Sequence, residues 1–146
     1  MRKYYTLLLP VVLMLSSFVC NKESAVYSEY IQGGPWYLTS TTSTGIGPWK
    51  TLNFGDGTFT FLPGKRLEYQ NKWMKVYEGT WELQVYSYTD DYDQQQESYA
   101  LQLVATNIQT QEQLSEYYGD VQFKGANSFI ASVYTSNRVY YFEFKK

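Results

Sequence analysis

Carboxylates and a single thiol are the groups in this chain whose type and spacing could do chemistry. Asp90, Asp91 and Asp93 lie within four residues, and carboxylate oxygens are the ligands Ca²⁺ prefers. The spacing lacks the D-x-D-x-D-G order with a later Glu, and a charged loop tip is ordinarily only solvated. Glu78 and Glu82 are acids of the kind that glycoside hydrolysis places across a scissile bond. Glu82, however, stands between Trp81 and Leu83 and in an alternating strand faces the other way, toward solvent. Gly45-x-Gly47 is too short for a dinucleotide fingerprint and no helical pattern follows it. The chain has no His, which excludes Ser-His-Asp and Cys-His catalysis, an imidazole base and His-ligated zinc or haem. One Cys, Cys20, excludes an internal disulfide, a CxxC redox pair and a Cys-rich metal site. We therefore expect no enzyme, no catalytic residue, no metal and no cofactor.

Cys20 carries a different meaning. Met1, Arg2 and Lys3 form a basic start, Thr6 to Leu15 an apolar run of ten residues, and Ser16 and Ser17 a polar end before Ser17-Phe18-Val19-Cys20. Such a run is a secretory signal, too short to span a bilayer core of about 30 Å. A free thiol is out of place in an exported protein. The pattern resembles a bacterial lipoprotein signal, which implies cleavage before Cys20 and acylation of it by palmitate-type chains, although Val19 and Phe18 depart from the small residues usual there. Removing residues 1–19 takes Arg2 and Lys3 and leaves 10 basic against 14 acidic residues, a net charge of −4. An anionic body of this kind has no electrostatic pull toward nucleic acid or anionic lipid, so the lipid on Cys20 is the expected membrane tether.

At 146 residues the chain has the length of about one domain. Residues 1–19 are read as the signal, 20–34 as a polar tether and 35–146 as the folded domain. From Pro35 the hydrophobic period is two. Trp36 to Thr41 is aromatic and β-branched. Thr51 to Phe54 and Thr58 to Leu62 flank Gly55-Asp56-Gly57 and predict a β-hairpin, since Asp-Gly tolerates the backbone of a tight turn. Arg66 to Val76 reads as strand with an irregularity at Trp73-Met74. Gly79 to Tyr86 alternates with Trp81, Leu83 and Val85 on one face. Thr89 to Glu97 predicts a long solvated loop, and Tyr99 to Ala105 resumes the strand. Ile108 to Glu116 permits a helical turn, and strands follow over Tyr117–Phe123, Ser128–Tyr134 and Arg138–Lys145. Eight or nine strands at this spacing predict an all-β, antiparallel up-and-down meander closing into a barrel or half-barrel, which removes exposed edges.

Gly34-Pro35-Trp36-Tyr37-Leu38, Leu52-Asn53-Phe54-Gly55-Asp56-Gly57-Thr58-Phe59, Gly79-Thr80-Trp81-Glu82-Leu83 and Leu101-Gln102-Leu103 resemble the lipocalin-like domain of small Bacteroidetes-type lipoproteins. The similarity spans roughly Gly34 to Val104. It implies a β-barrel or half-barrel exported on a lipid anchor in the cell envelope, at the outer membrane, and it brings no catalytic residue with it.

Aromatic residues make up 19% of the chain, with 16 Tyr, more than a core can take. Trp36, Phe54, Phe59, Phe61 and Trp81 are spaced as core. Trp49, Trp73, Tyr86, Tyr88, Tyr92, Tyr117, Tyr118, Tyr134 and Tyr140 form a surplus that cannot all be buried. Two functions fit. In one, a monomeric barrel holds a small apolar or amphipathic ligand; in the other, the barrel is filled and a Tyr-rich outer surface binds an envelope glycan or protein.

Overall fold

The computed structural model describes residues 22–146, with side chains from Val26 onward. The signal segment 1–19 and Cys20 lie outside the described residues. A helix α1 (Lys22–Ile31) is followed by eight strands: β1 (Gly33–Gly45), β2 (Gly57–Leu62), β3 (Arg66–Asn71), β4 (Val76–Thr89), β5 (Gln95–Asn107), β6 (Gln113–Phe123), β7 (Ser128–Tyr134) and β8 (Arg138–Lys145). Each pairs antiparallel with the next and β1 pairs with β8, so the meander is a closed barrel.

Closure runs through β1. Its first half pairs with β2, Trp36 opposite Phe59, and its second half with β8, Thr41 opposite Phe142 and Gly45 opposite Arg138. Alternation then sends one face of every strand inward. Leu67, Tyr69, Trp81, Leu101, Leu103, Phe129, Phe142 and Phe144 are all buried, as are the five residues expected from their spacing, Trp36, Phe54, Phe59, Phe61 and Trp81. The rings interlock: Phe129 stacks on Phe144 at 4.6 Å, Trp36 meets Phe129 edge-on at 4.9 Å, and Phe59 meets Phe144 edge-on at 5.4 Å. Each such pair adds roughly 0.5–1.5 kcal/mol beyond the area it buries. The barrel interior is a packed aromatic core.

Four segments differ from their sequence reading. Residues 20–34 read as a tether, but Lys22–Ile31 is a helix and Gly33 already belongs to β1. Tyr27, Tyr30 and Ile31, three and four apart, share one helix face. Tyr27 stacks on Phe123 at 4.8 Å and meets Tyr99 edge-on at 4.8 Å. Ile31 is fully buried, and its carbonyl accepts a 2.8 Å bond from Trp36 Nε1. Lys146 Nζ donates to the carbonyls of Tyr30 and Gln32, which places a cation at the negative end of the helix. The apolar face is only three residues wide, too short to register as a period in the sequence.

The hairpin expected around Asp56-Gly57 does not form. β2 begins at Gly57 and pairs with β1 and β3, while residues 46–56 run as a loop. Leu52 and Phe54 alternate because the loop turns them down onto the barrel. Phe54 is buried against Tyr69, 5.1 Å away edge-on. The long loop expected over Thr89–Glu97 shrinks to a turn, because β4 and β5 stay in register out to Thr89 and Gln95. The strand expected from Tyr117 starts earlier, at Gln113, after a turn in which Asn107 Oδ1 accepts from the Gln109 and Thr110 amides.

Gly79 lies on the inward face of β4 between Tyr77 and Trp81, opposite Leu67 and Ala105. A Cβ there would run into the Val104 carbonyl and the Ala105 Cα, whereas one at Gly55 would meet nothing. Gly79→Ala is expected to destabilise the fold by roughly 1–3 kcal/mol in a denaturant titration, with Gly55→Ala nearly neutral. Equal effects would show that the barrel is not closed this tightly at β4–β5.

Candidate functional site

The two barrel ends are covered differently. α1 precedes the start of β1 and sits at one end; the 46–56 loop follows the end of β1 and crosses the other. This loop is a lid. Arg138 pins its first turn, donating from Nη2 to the Gly47 carbonyl at 2.6 Å and from Nη1 to Ser43 Oγ at 3.0 Å, with its guanidinium 4.6 Å over the Trp49 ring. Midway, the Lys50 amide donates to the Tyr140 hydroxyl at 2.6 Å.

The far side of the lid is held by Glu116. Alternation in β6 turns this carboxylate inward beside Tyr118, and it is only 6% exposed. Lys50 Nζ lies 3.2 Å from Glu116 Oε1, and the Asn53 amide donates to Oε2 at 3.3 Å. Asn53 Nδ2 also donates to Oε2 at 3.4 Å and to the Ser115 carbonyl. A buried charge is tolerated where it is paired and hydrogen-bonded, and here both partners, Lys50 and Asn53, come from the lid.

Between the lid and the β3–β4 and β5–β6 turns lies a cavity of about 380 Å³. Tyr69, Tyr77, Leu52 and Leu114 give it an aromatic and aliphatic lining; Asp56, Lys72, Lys75 and Glu112 bring charge of both signs. The Tyr69 hydroxyl donates to the Gly55 carbonyl and accepts from the Gly55 amide, both at 3.2 Å. Burial pushes its pKa up, against the lowering effect of the Gly55 bond. Tyr77 donates to Glu112 Oε2 at 3.0 Å, and burial and then this bond raise its pKa as well. Trp73, 71% exposed, stands at the edge with Lys72 Nζ 4.6 Å over its ring. A second hollow of about 440 Å³, lined by Tyr27, Ser87, Gln95, Gln96, Glu97 and Tyr99 beside α1, is mostly amide, hydroxyl and carboxylate.

The acids singled out in the sequence do not converge. Asp90 holds its own turn: Oδ1 accepts from the Tyr92 and Gln94 amides at 2.9 Å, and Oδ2 from Gln96 Nε2 at 3.0 Å. The Gln94 amide does most to keep its carboxyl below the usual range. Asp91 and Asp93 are exposed. Glu82 faces outward and pairs with Lys65 Nζ at 2.6 Å, the main reason its pKa is lowered. Glu78 faces outward too, opposite Glu68 of β3. Among the described residues, no three acidic or thiol side chains lie close enough to hold a metal ion.

The surplus aromatics divide. Tyr118 and Tyr140 are buried, because both share the inward alternation of their strands. Trp49, Trp73, Tyr86, Tyr88, Tyr92, Tyr117 and Tyr134 are exposed. Sequence reasoning missed Lys50, Asn53 and Glu116 of the lid latch. The signal available was an acid at position 116 in phase with Tyr118, a charge on a core-facing position.

No family model, no curated protein and no solved structure matches the chain. The class is therefore defined by the fold alone: an eight-stranded antiparallel β-barrel with a packed interior, one end plugged by a helix and the other covered by a lid.

Glu116→Ala removes every acceptor the carboxylate offers to the lid. Expected is a loss of roughly 1.5–3 kcal/mol and faster amide hydrogen exchange at Lys50 and Asn53, with exchange in β7 and β8 unchanged. Unchanged protection of Lys50 and Asn53 would mean that Glu116 does not hold the lid.

Proposed function

We propose that this chain is an exported, lipid-anchored, non-catalytic binding module that takes a small amphipathic ligand at the lidded mouth of its barrel. The observation that carries the reading is the cavity of about 380 Å³ beneath the 46–56 lid, placed above an interior already filled by aromatic rings. A volume of that order is at the size of small-ligand sites, and its lining of aromatic, aliphatic, amide and charged side chains in near-equal apolar and polar measure suits an amphipathic ligand. Tyr69, Tyr77 and Leu114 would take its apolar body, and Lys72 or Lys75 an anionic or polar end. The filled interior moves the expected site from the barrel centre to its rim.

Anchoring rests on the sequence: the basic start, the apolar run and Cys20, together with the resemblance to lipocalin-like envelope lipoproteins. With α1 beginning at Lys22, a lipid on Cys20 would hold the helix end of the barrel near an outer-membrane surface and leave the lidded mouth on the far side. Strands β4, β5, β6 and β7 themselves contain no Lys or Arg, so that wall offers a nucleic acid no cationic strip.

The anionic dye anilinonaphthalenesulfonate is a direct probe of the mouth. The purified protein is expected to enhance its fluorescence, and Leu114→Trp, which fills the cavity, to abolish the enhancement while circular dichroism shows the barrel still folded. Equal enhancement by the variant would overturn the mouth site.

For the anchor, Cys20→Ala is expected to move the protein from the membrane fraction to the soluble one. Continued sedimentation of the variant with membranes would rule out lipid attachment at Cys20.

A further inference from the structure

β4, β5, β6 and β7 together contain no Lys and no Arg, and their outward side chains gather three half-exposed tyrosines in one place. Tyr86 of β4 is 47% exposed, Tyr117 of β6 47% and Tyr134 of β7 56%. They are tied to one another. The Tyr117 hydroxyl donates to the Tyr86 hydroxyl at 3.1 Å, and that of Tyr86 to Gln84 Oε1. Tyr134 donates to Asp120 Oδ2, while Ser98, opposite Tyr86 in the β4–β5 ladder, donates to Asp120 Oδ1 at 3.1 Å. Losing the proton breaks the bond that Tyr117 donates to Tyr86, which pushes its pKa up to about 12.

The backbone is shaped around this cluster. β6 carries a bulge between Gly119 and Gln122, within which Asp120 takes the left-handed backbone (φ 46°) and puts its carboxylate on the outer wall. Asp is one of the few non-glycine residue types that take this conformation readily. Gly119 supplies the floor: a Cβ there would come within 3.2 Å of the Tyr134 ring. Ala100 lies on the outward set of β5 yet is only 2% exposed, so the flanking side chains cover it. The rings are held in place before any ligand arrives, which reduces the ordering cost of binding.

We propose that this outer wall is a second binding site, separate from the mouth, for a neutral oligosaccharide. Tyr86, Tyr117 and Tyr134 offer ring faces to the C–H faces of sugar rings, and Asp120 and Gln84 accept bonds from sugar hydroxyls. Charge selects the occupant. With the Asp120 carboxylate among the rings, Glu82 already paired with Lys65, and no Lys or Arg on the four strands, the wall sets a negative charge against phosphorylated, sulfated or uronic polymers and gives them no free cation at the rings. A protein partner fits less well: Gln84, Ser98 and Gln102 around the rings are polar, whereas the fully buried core of a protein interface is more apolar than its rim.

Calorimetry of the full chain with cellohexaose, mannohexaose and maltohexaose, and with hexagalacturonate as the anionic counterpart, tests this. At least one neutral hexaose is expected to bind, and Tyr117→Ala and Tyr134→Ala each to weaken it about tenfold or more, the order seen when a stacking aromatic is removed. These positions are exposed, so circular dichroism should be unchanged. Leu114→Trp at the mouth is expected to leave sugar affinity intact. The proposal is overturned if no neutral sugar binds, which would hand the tyrosines to a protein partner. Equal binding of hexagalacturonate, retention of affinity in both tyrosine variants, or loss of affinity in Leu114→Trp would overturn it as well.

Discussion

Closure of the sheet through β1 is the constraint on which the rest of the molecule depends. This one strand pairs with β2 over its first half and with β8 over its second, and an eight-stranded barrel so closed has an interior just wide enough for side chains to fill. Filling it takes large residues from every strand, which is why Trp36, Phe59, Trp81, Phe129, Phe142 and Phe144 all turn inward. The two open ends then need covers, because rings at the ends of the core would otherwise meet water. α1 covers one with Tyr27 and Ile31, and the 46–56 lid covers the other with Phe54.

A filled barrel redistributes where binding can happen. The centre is taken, so recognition falls to the mouth beneath the lid and to the outer wall. The two places differ in chemistry. The mouth combines aromatic lining with Lys72, Lys75, Asp56 and Glu112, whereas strands β4, β5, β6 and β7 bring rings, amides and carboxylates to the wall but no Lys or Arg of their own. Each rests on a device that costs local stability: a buried carboxylate at Glu116 in one, a left-handed non-glycine residue at Asp120 in the other. Both devices sit on β6, on either side of Tyr117 and Tyr118, so a single strand positions both.

Much of the barrel was legible in the sequence because its signal is local. Period two over Gly79–Val85 and Tyr99–Ala105 needs only neighbouring residues to be read, and the burial of Trp36, Phe59, Phe61 and Trp81 follows from it. The Asp56-Gly57 hairpin misled for the same reason. Leu52 and Phe54 alternate as a strand does, but their burial comes from a loop lying across the barrel, and a local pattern does not distinguish the two. The polar run Thr89–Glu97 looked like a loop because both faces of a protruding hairpin are solvated, so alternation carries no hydrophobic contrast there.

The candidate sites were less legible than the fold. An excess of tyrosine was countable, but nothing in the sequence says which tyrosines meet. Tyr86, Tyr117 and Tyr134 come together only because antiparallel pairing sets β4, β5, β6 and β7 side by side, and because the bulge at Asp120 shifts the register locally. Lys50 and Glu116 are likewise 66 residues apart. Composition and alternation by themselves determined an all-β chain without the residues for His or disulfide chemistry, since those depend on residue type and immediate neighbours alone. Tertiary structure decided that the interior is full, that a loop and not a hairpin closes the mouth, and which side chains share a surface. Those are properties of which strands pair and in what register, set by closure of the barrel as a whole.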